Sequence, residues 1–158
     1  MERHRTGGMT AIAVLNIAFG GLGIVNGLFH LLGFFILLYE LLRLGVFELP
    51  VARLAVALLI LGTGIVGLIA GIGVFRLRPW ARALSLVYGG LFLVSSVVPF
   101  VAGVVASYGA ADFAKFTTYD VVRTIITSVI YVAIPVPYSL ILFVVFRKSA
   151  WNAAFSKG

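Results

Sequence analysis

Residues 54–75 read LAVALLILGTGIVGLIAGIGVF, an apolar run without one ionisable side chain. About 20 predominantly apolar residues suffice for a helix to cross the hydrocarbon core of a bilayer. A membrane β-strand would instead alternate apolar and polar positions, and this run does not alternate. It therefore reads as a spanning helix. Working outward, its C-terminal end passes into GVFRLRPWARALSLVYGG (73–90), where Arg76, Arg78 and Arg82 gather around Pro79 and Trp80 before a second apolar run begins. Two apolar runs joined by a few basic residues make a hairpin that turns at a membrane surface. Arg76 and Arg78 close the first helix, Pro79 suits the first turn of the next, and Trp80 fits the headgroup layer.

The rest of the chain follows the same pattern. Of its 158 residues, 62% are hydrophobic and 11% charged, against roughly 25% charged in a soluble domain. The sequence predicts an all-α polytopic membrane protein, a four-helix bundle with spans at about 9–32, 53–75, 82–106 and 122–146. Residues 1–158 form a single transmembrane domain, with no length left for a soluble one. The first apolar run is longer than a signal-peptide core and has no small-residue cleavage site after it, so it is read as a retained span.

The charges set the direction of the bundle. Arg3, Arg5, Arg76, Arg78, Arg82, Arg147, Lys148 and Lys157 fall on one side, with Glu2 as the only acid there. Arg43, Arg53, Lys115 and Arg123 fall on the other, balanced by Glu40, Glu48, Asp112 and Asp120, so the first side carries the whole formal charge of +7. The positive-inside rule counts Lys and Arg in short loops and places both termini and the 76–82 turn in the cytoplasm. A net charge spent on topology gives no reason to expect nucleic acid as a partner. It predicts anionic lipids at the cytoplasmic face, with Arg76, Arg78, Trp80 and Arg82 as interface anchors.

The segment GFFILLYELLRLGVFELP (33–50) follows the first span with no polar break. It is too apolar for a solvated loop, so it either extends the first helix or lies on the outer surface. Gly33, Gly45 and Pro50 are places to bend, and Glu40 and Arg43 have the spacing to pair along a helix. By contrast, 107–120 reads as an ordinary outer loop.

In lipid, helices associate by close packing and interhelical hydrogen bonds, which makes glycine placement informative. Asn16, Gly20, Gly23 and Gly27 form a narrow stripe on the first span, and Gly64, Gly67 and Gly71 form one on the second. These helix-packing residues are expected to face each other or a partner subunit. Pro99 in the third span and Pro135 and Pro137 in the fourth are kink positions, because an interior proline leaves a backbone carbonyl without its helical partner.

Chemistry is sparse. No charged residue lies in the central part of a span, where it would mark a transport or proton pathway. No His, Glu or Asp cluster has metal-ligand or acid–base spacing, and cysteine is absent. No catalytic residue, metal or cofactor is predicted. His30, near the outer end of the first span, offers one axial ligand to haem or a chlorophyll magnesium as a minor alternative. Asn16 and Asn26 read as interhelical hydrogen-bond formers.

The stretches GIGVFRLRPWARALSLVYG (71–89) and PYSLILFVVFRKSAWNAAF (137–155) resemble a loose group of uncharacterised small bacterial four-helix inner-membrane proteins. These share a glycine-rich second helix, an arginine/tryptophan inner loop and a proline–tyrosine fourth helix ending in a basic tail. The resemblance covers about the last two thirds of the chain. It implies a bacterial inner (cytoplasmic) membrane and transfers no catalytic residue. Together these features predict a non-enzymatic protein, an accessory or assembly-stabilising subunit of a larger membrane complex of respiratory or photosynthetic type. The alternative is a small channel or carrier for an uncharged or lipid-like substrate, with Thr127, Ser128 and Ser139 along its path.

Overall fold

The structure, a computed structural model, describes residues 7–47, 49–108, 122 and 125–147, with 102–108 described by their backbone alone. Helix α1 spans Gly7–Arg43, α2 Val51–Phe75 and α3 Pro79–Tyr108. The fourth span, Ile125–Arg147, contains a π-helical segment, Val129–Ala133, followed by α4, Pro135–Arg147. Among the described residues there is no strand, and four helices are long and apolar enough to cross a membrane. Glu2, Arg3, Arg5, Glu48, the 109–121 part of the outer loop with Asp112, Lys115 and Asp120, then Arg123, Thr124, Lys148 and Lys157 lie outside the described residues.

The 33–50 segment takes the first of its two options as far as Arg43. With 37 residues, α1 is about 55 Å long at 1.5 Å per residue, far more than the 9–32 span read from sequence. Nothing in 33–43 breaks a helix except Gly33, and a lone glycine is tolerated. The helix stops where Gly45 takes a positive φ of 74°. Its N–H bonds the Leu42 carbonyl at 3.1 Å and that of Val46 bonds Leu41 at 2.8 Å, a Schellman cap. Glu40 and Arg43 approach to 3.9 Å with both side chains largely exposed, a contact worth little.

The 76–82 turn uses the same cap with a different residue. Leu77 takes the left-handed position, φ 51°, its N–H reaching Val74 O at 3.0 Å while the Arg78 N–H reaches Gly73 O at 2.9 Å. A leucine is costly at positive φ, and burial of its side chain to 4% exposure offsets that cost. Arg76 and Arg78 are exposed, and Trp80, half-exposed, lies over Gly73, where an added Cβ would come within 2.6 Å of its indole. Arg82 makes a contact inside the bundle: its Nε donates to the Phe146 carbonyl at 3.1 Å. A cation thereby caps the last turn of α4, the negative end of that helix dipole.

α1 and α2 form one antiparallel seam, on which α3 and then α4 are laid. The tight core sits toward the 76–82 end, with Ile12 and Ala13 of α1, Val74 of α2, Ala81 of α3, and Leu142 and Phe146 of α4. The fourth span is buried there only from Pro135 onward; every described residue from Ile125 to Ile134 is half-buried or exposed. Among the described residues, packing is therefore tightest toward the 76–82 end.

Candidate functional site

The seam is built from glycines pressed onto opposing backbone. A Cβ on Gly20 would lie 2.4 Å from Leu68 N, one on Gly27 2.6 Å from Leu61 Cα, and one on Gly64 2.5 Å from Ile24 N. Gly23 is 3.0 Å from Gly64 Cα by the same measure, and Gly71 meets Ile17 and Ala13. The two stripes lie against each other within one chain. Gly67 serves two neighbours: it abuts Gly20, and its own missing Cβ leaves room for the Tyr88 ring, 2.5 Å from where that atom would be.

Beside the seam, buried polar groups join three helices. Asn16, fully buried, donates from Nδ2 to Ser85 Oγ at 3.4 Å, and its Oδ1 accepts a hydrogen bond from the Tyr138 hydroxyl. Ser139 Oγ donates to the Gly89 carbonyl at 2.9 Å. A buried amide with both ends engaged fixes the register of α1 against α3 and α4, because any slip strands polar atoms in hydrocarbon. Above it, Phe19 stacks on Phe92 at 5.7 Å and meets Tyr138 edge-on at 4.9 Å, while Tyr88 stacks on Phe92 at 5.4 Å.

Beside this aromatic layer lies a cleft of about 60 Å³, room for a few water-sized groups. Phe19, Gly23 and Asn26 border it on α1, and Thr63 and Gly64 on α2. Tyr88, Phe92, Ser95 and Ser96 form the α3 wall, and Tyr131 of the π segment closes the far side. Thr63 is the midpoint of α2, so the cleft lies near mid-membrane. Asn26 is exposed and Tyr131 half-buried.

The hydroxyls of the cleft are not equivalent. Thr63 Oγ1 donates to Leu59 O at 2.8 Å, and Ser95 and Ser96 donate to Phe92 O at 3.2 and 2.7 Å. Each has committed its proton to its own helix and keeps lone pairs for another group. Tyr88 differs: its side chain is fully buried, and its hydroxyl is, among the described residues, the only buried side-chain polar atom without a hydrogen-bond partner. Such an orphan in a native interior calls for a specific cause.

The prolines shape this site from outside. Pro135 and Pro137 lack the N–H groups that would bond the Tyr131 and Ala133 carbonyls, and the chain ahead of them widens into the π segment that carries Tyr131. The α-helical pattern resumes at Tyr138, whose N–H bonds Ile134 O at 3.3 Å. Pro99, in contrast, sits inside a continuous α3. His30 is exposed on α1, and no group of three His, Cys, Asp or Glu that could hold a metal occurs among the described residues. Thr127 and Ser128 are half-buried and Ser139 is bonded to α3; none of the three lines the cleft.

Tyr88, Phe19 and Phe92 were not singled out by the sequence pattern, yet a signal was present. Tyrosines normally mark the ends of spanning helices, and Tyr88, Tyr131 and Tyr138 lie well inside apolar runs.

Four helices long and apolar enough to cross a membrane, with a small, mostly apolar cleft among them, are thus what fold and site define. No family model, curated protein or solved structure matches the chain.

Proposed function

We propose that this is a non-enzymatic protein of the bacterial inner membrane, with both termini cytoplasmic, acting as an accessory or assembly-stabilising subunit of a larger membrane complex. One observation carries the reading: an apolar collar beyond the bilayer core. The seam register, Gly20 against Leu68 and Gly27 against Leu61, sets Val51 opposite position 37. A hydrocarbon slab of about 30 Å centred on Thr63 leaves Tyr39, Leu42, Leu44, Phe47 and Leu49 outside it. All five are exposed, Leu44 at 74% and Phe47 at 87%. Exposed apolar surface of this kind marks an interaction site. The glycine stripes are occupied within the chain, so a partner has to use such a surface. Arg76 and Arg78 at the opposite end support a cytoplasmic face in contact with anionic lipid.

The test is extraction from native membranes in mild detergent, size separation and mass spectrometry of co-migrating chains. Co-migration with a large assembly, lost in Phe47→Asp, is the expected result. Migration alone, or as a small homo-oligomer, ends the subunit reading.

The mid-membrane cleft favours a second reading, of the bundle as a carrier for an uncharged, lipid-like substrate. Reconstituted liposomes that show no movement of any such solute would remove it.

A further inference from the structure

The 76–82 end gathers arginines whose hydrogen-bonding capacity the packing leaves mostly unspent. Arg82 of α3, half-buried, gives its Nε hydrogen to the Phe146 carbonyl at 3.1 Å. Its two Nη groups, the open edge of the guanidinium fork, have no partner among the described residues. The carbonyl it holds is bonded to Arg147, exposed in the last turn of α4. Arg78, also exposed, stands one helical turn before Arg82, its own carbonyl accepting from the Ala81 N–H at 3.0 Å. Three permanently charged groups therefore lie around the point where α3 begins and α4 ends. Glu40 is the only acid among the described residues, and it pairs with Arg43 at the opposite end. Among those residues nothing on this face supplies a counter-charge.

The apolar surface beside the arginines selects the kind of anion. Leu140, Val144 and Arg147 follow helical spacing of four and three on α4, and Leu140 and Val144 are 59% and 57% exposed. Phe143, on the flank of this stripe, meets α3: its ring lies 3.8 Å from where a Cβ on Gly89 would be. Gly89 is two turns from Arg82 along the same side of α3. An exposed apolar track thus follows the α3–α4 boundary and ends at the cations. A soluble phosphate would use the charges alone, whereas a phospholipid uses both features. Half-exposed Trp80 marks this level as the headgroup layer.

We propose that Arg82 and Arg147, with Arg78 beside them, form a seat for the phosphate of one anionic phospholipid, its acyl chains lying along α4 past Val144 and Leu140. The Nε bond to Phe146 holds the Arg82 plane, so the Nη edge is set in advance to take two phosphate oxygens. The surplus of cations favours a headgroup with net negative charge over a zwitterionic one, whose own cation they repel. The seat rests on the reading of this end as a face in contact with anionic lipid, and narrows that contact to a site for one molecule.

The experiment is native mass spectrometry of the full chain in detergent with added dioctanoyl phosphatidylglycerol, compared with dioctanoyl phosphatidylcholine and with soluble glycerol phosphate. The expected result is one phosphatidylglycerol retained per chain, in clear preference to both. Lysine keeps the charge and lacks the fork, so Arg82→Lys should weaken retention about tenfold, the loss of one charge-assisted hydrogen bond; Arg76→Lys should weaken it far less. Arg147→Gln against Arg76→Gln repeats the comparison at equal charge without removing the donor to Phe146, and serves if Arg82→Lys fails to fold. Arg147→Gln should be the weaker binder of the two. Equal effects at positions 76, 82 and 147 would mean diffuse attraction, which keeps the contact with anionic lipid and overturns the seat. No preference for phosphatidylglycerol over phosphatidylcholine ends both. Glycerol phosphate bound as well as the lipid assigns the arginines to a soluble phosphate and also overturns the proposal.

Discussion

Gly20 and Gly21 are neighbours with opposite surroundings, and a single added methyl group on each separates packing from helix propensity. In Gly20→Ala the new Cβ would lie 2.4 Å from Leu68 N, 2.8 Å from Gly67 C and 2.9 Å from Gly64 O. All three are backbone atoms, so no rotamer change relieves the clash. An ordinary contact needs about 3.5 Å, which forces the two helices apart by about 1 Å. A gap of that size forfeits a quarter to a half of each dispersion contact, here along a seam running from Ala13–Gly71 to Gly27–Leu61. Overpacking usually costs about 1–3 kcal/mol, and the length of the seam puts this case at the upper end. The alanine returns about 1 kcal/mol of helix propensity, leaving a net loss of about 2 kcal/mol. Gly21→Ala meets nothing within 4 Å and keeps only the propensity gain. Reversible unfolding of both variants in mixed detergent micelles should therefore separate them by about 3 kcal/mol. Equal stabilities, or a less stable Gly21→Ala, would refute the seam.

Other consequences follow from the caps and the buried amide. Leu77→Ala keeps the positive φ and loses the burial, while Leu77→Gly loses the burial and relieves the φ; the unfolding assay should rank wild type above Leu77→Gly and that above Leu77→Ala, the two variants differing by about 1 kcal/mol. Tyr138→Phe strands Asn16 Oδ1 and should cost about 0.6–1.7 kcal/mol, in contrast to Tyr88→Phe, which should cost nothing; a reversed order would mean that the polar cluster is misassigned. Arg82→Met removes the donor to Phe146 O, so hydrogen exchange at the last turn of α4 should accelerate by up to about fivefold, for an interaction of 0.3–1 kcal/mol, with α1 and α2 unaffected.

The number of spans and their hairpin order were legible because apolar run length and basic turns are properties of contiguous sequence. Helix ends were less so: 33–43 is apolar whether it continues a helix or lies on the membrane, and only the cap at Gly45 decides. The glycine stripes could be read as packing faces, but spacing alone does not say whether the opposing backbone belongs to the same chain. Arg82 and Arg76 look alike in sequence; the carbonyl that Arg82 caps comes from Phe146, a distant position. The cleft was the least legible part. It is lined by residues of three helices and the π segment, and the Tyr88 hydroxyl beside it is marked by a missing partner, which no sequence pattern displays.

The internal glycine seam underlies the rest, since it sets the cleft wall and leaves the collar as the surface for partners. It is tested most directly by solid-state NMR in bilayers, on glycine- and isoleucine-labelled chains diluted into excess unlabelled protein. Cross-peaks joining Gly23 to Gly64 and Ile17 to Gly71 should persist on dilution, as contacts within one chain do. Their disappearance would make the stripes an interface between copies and contradict the fold described above.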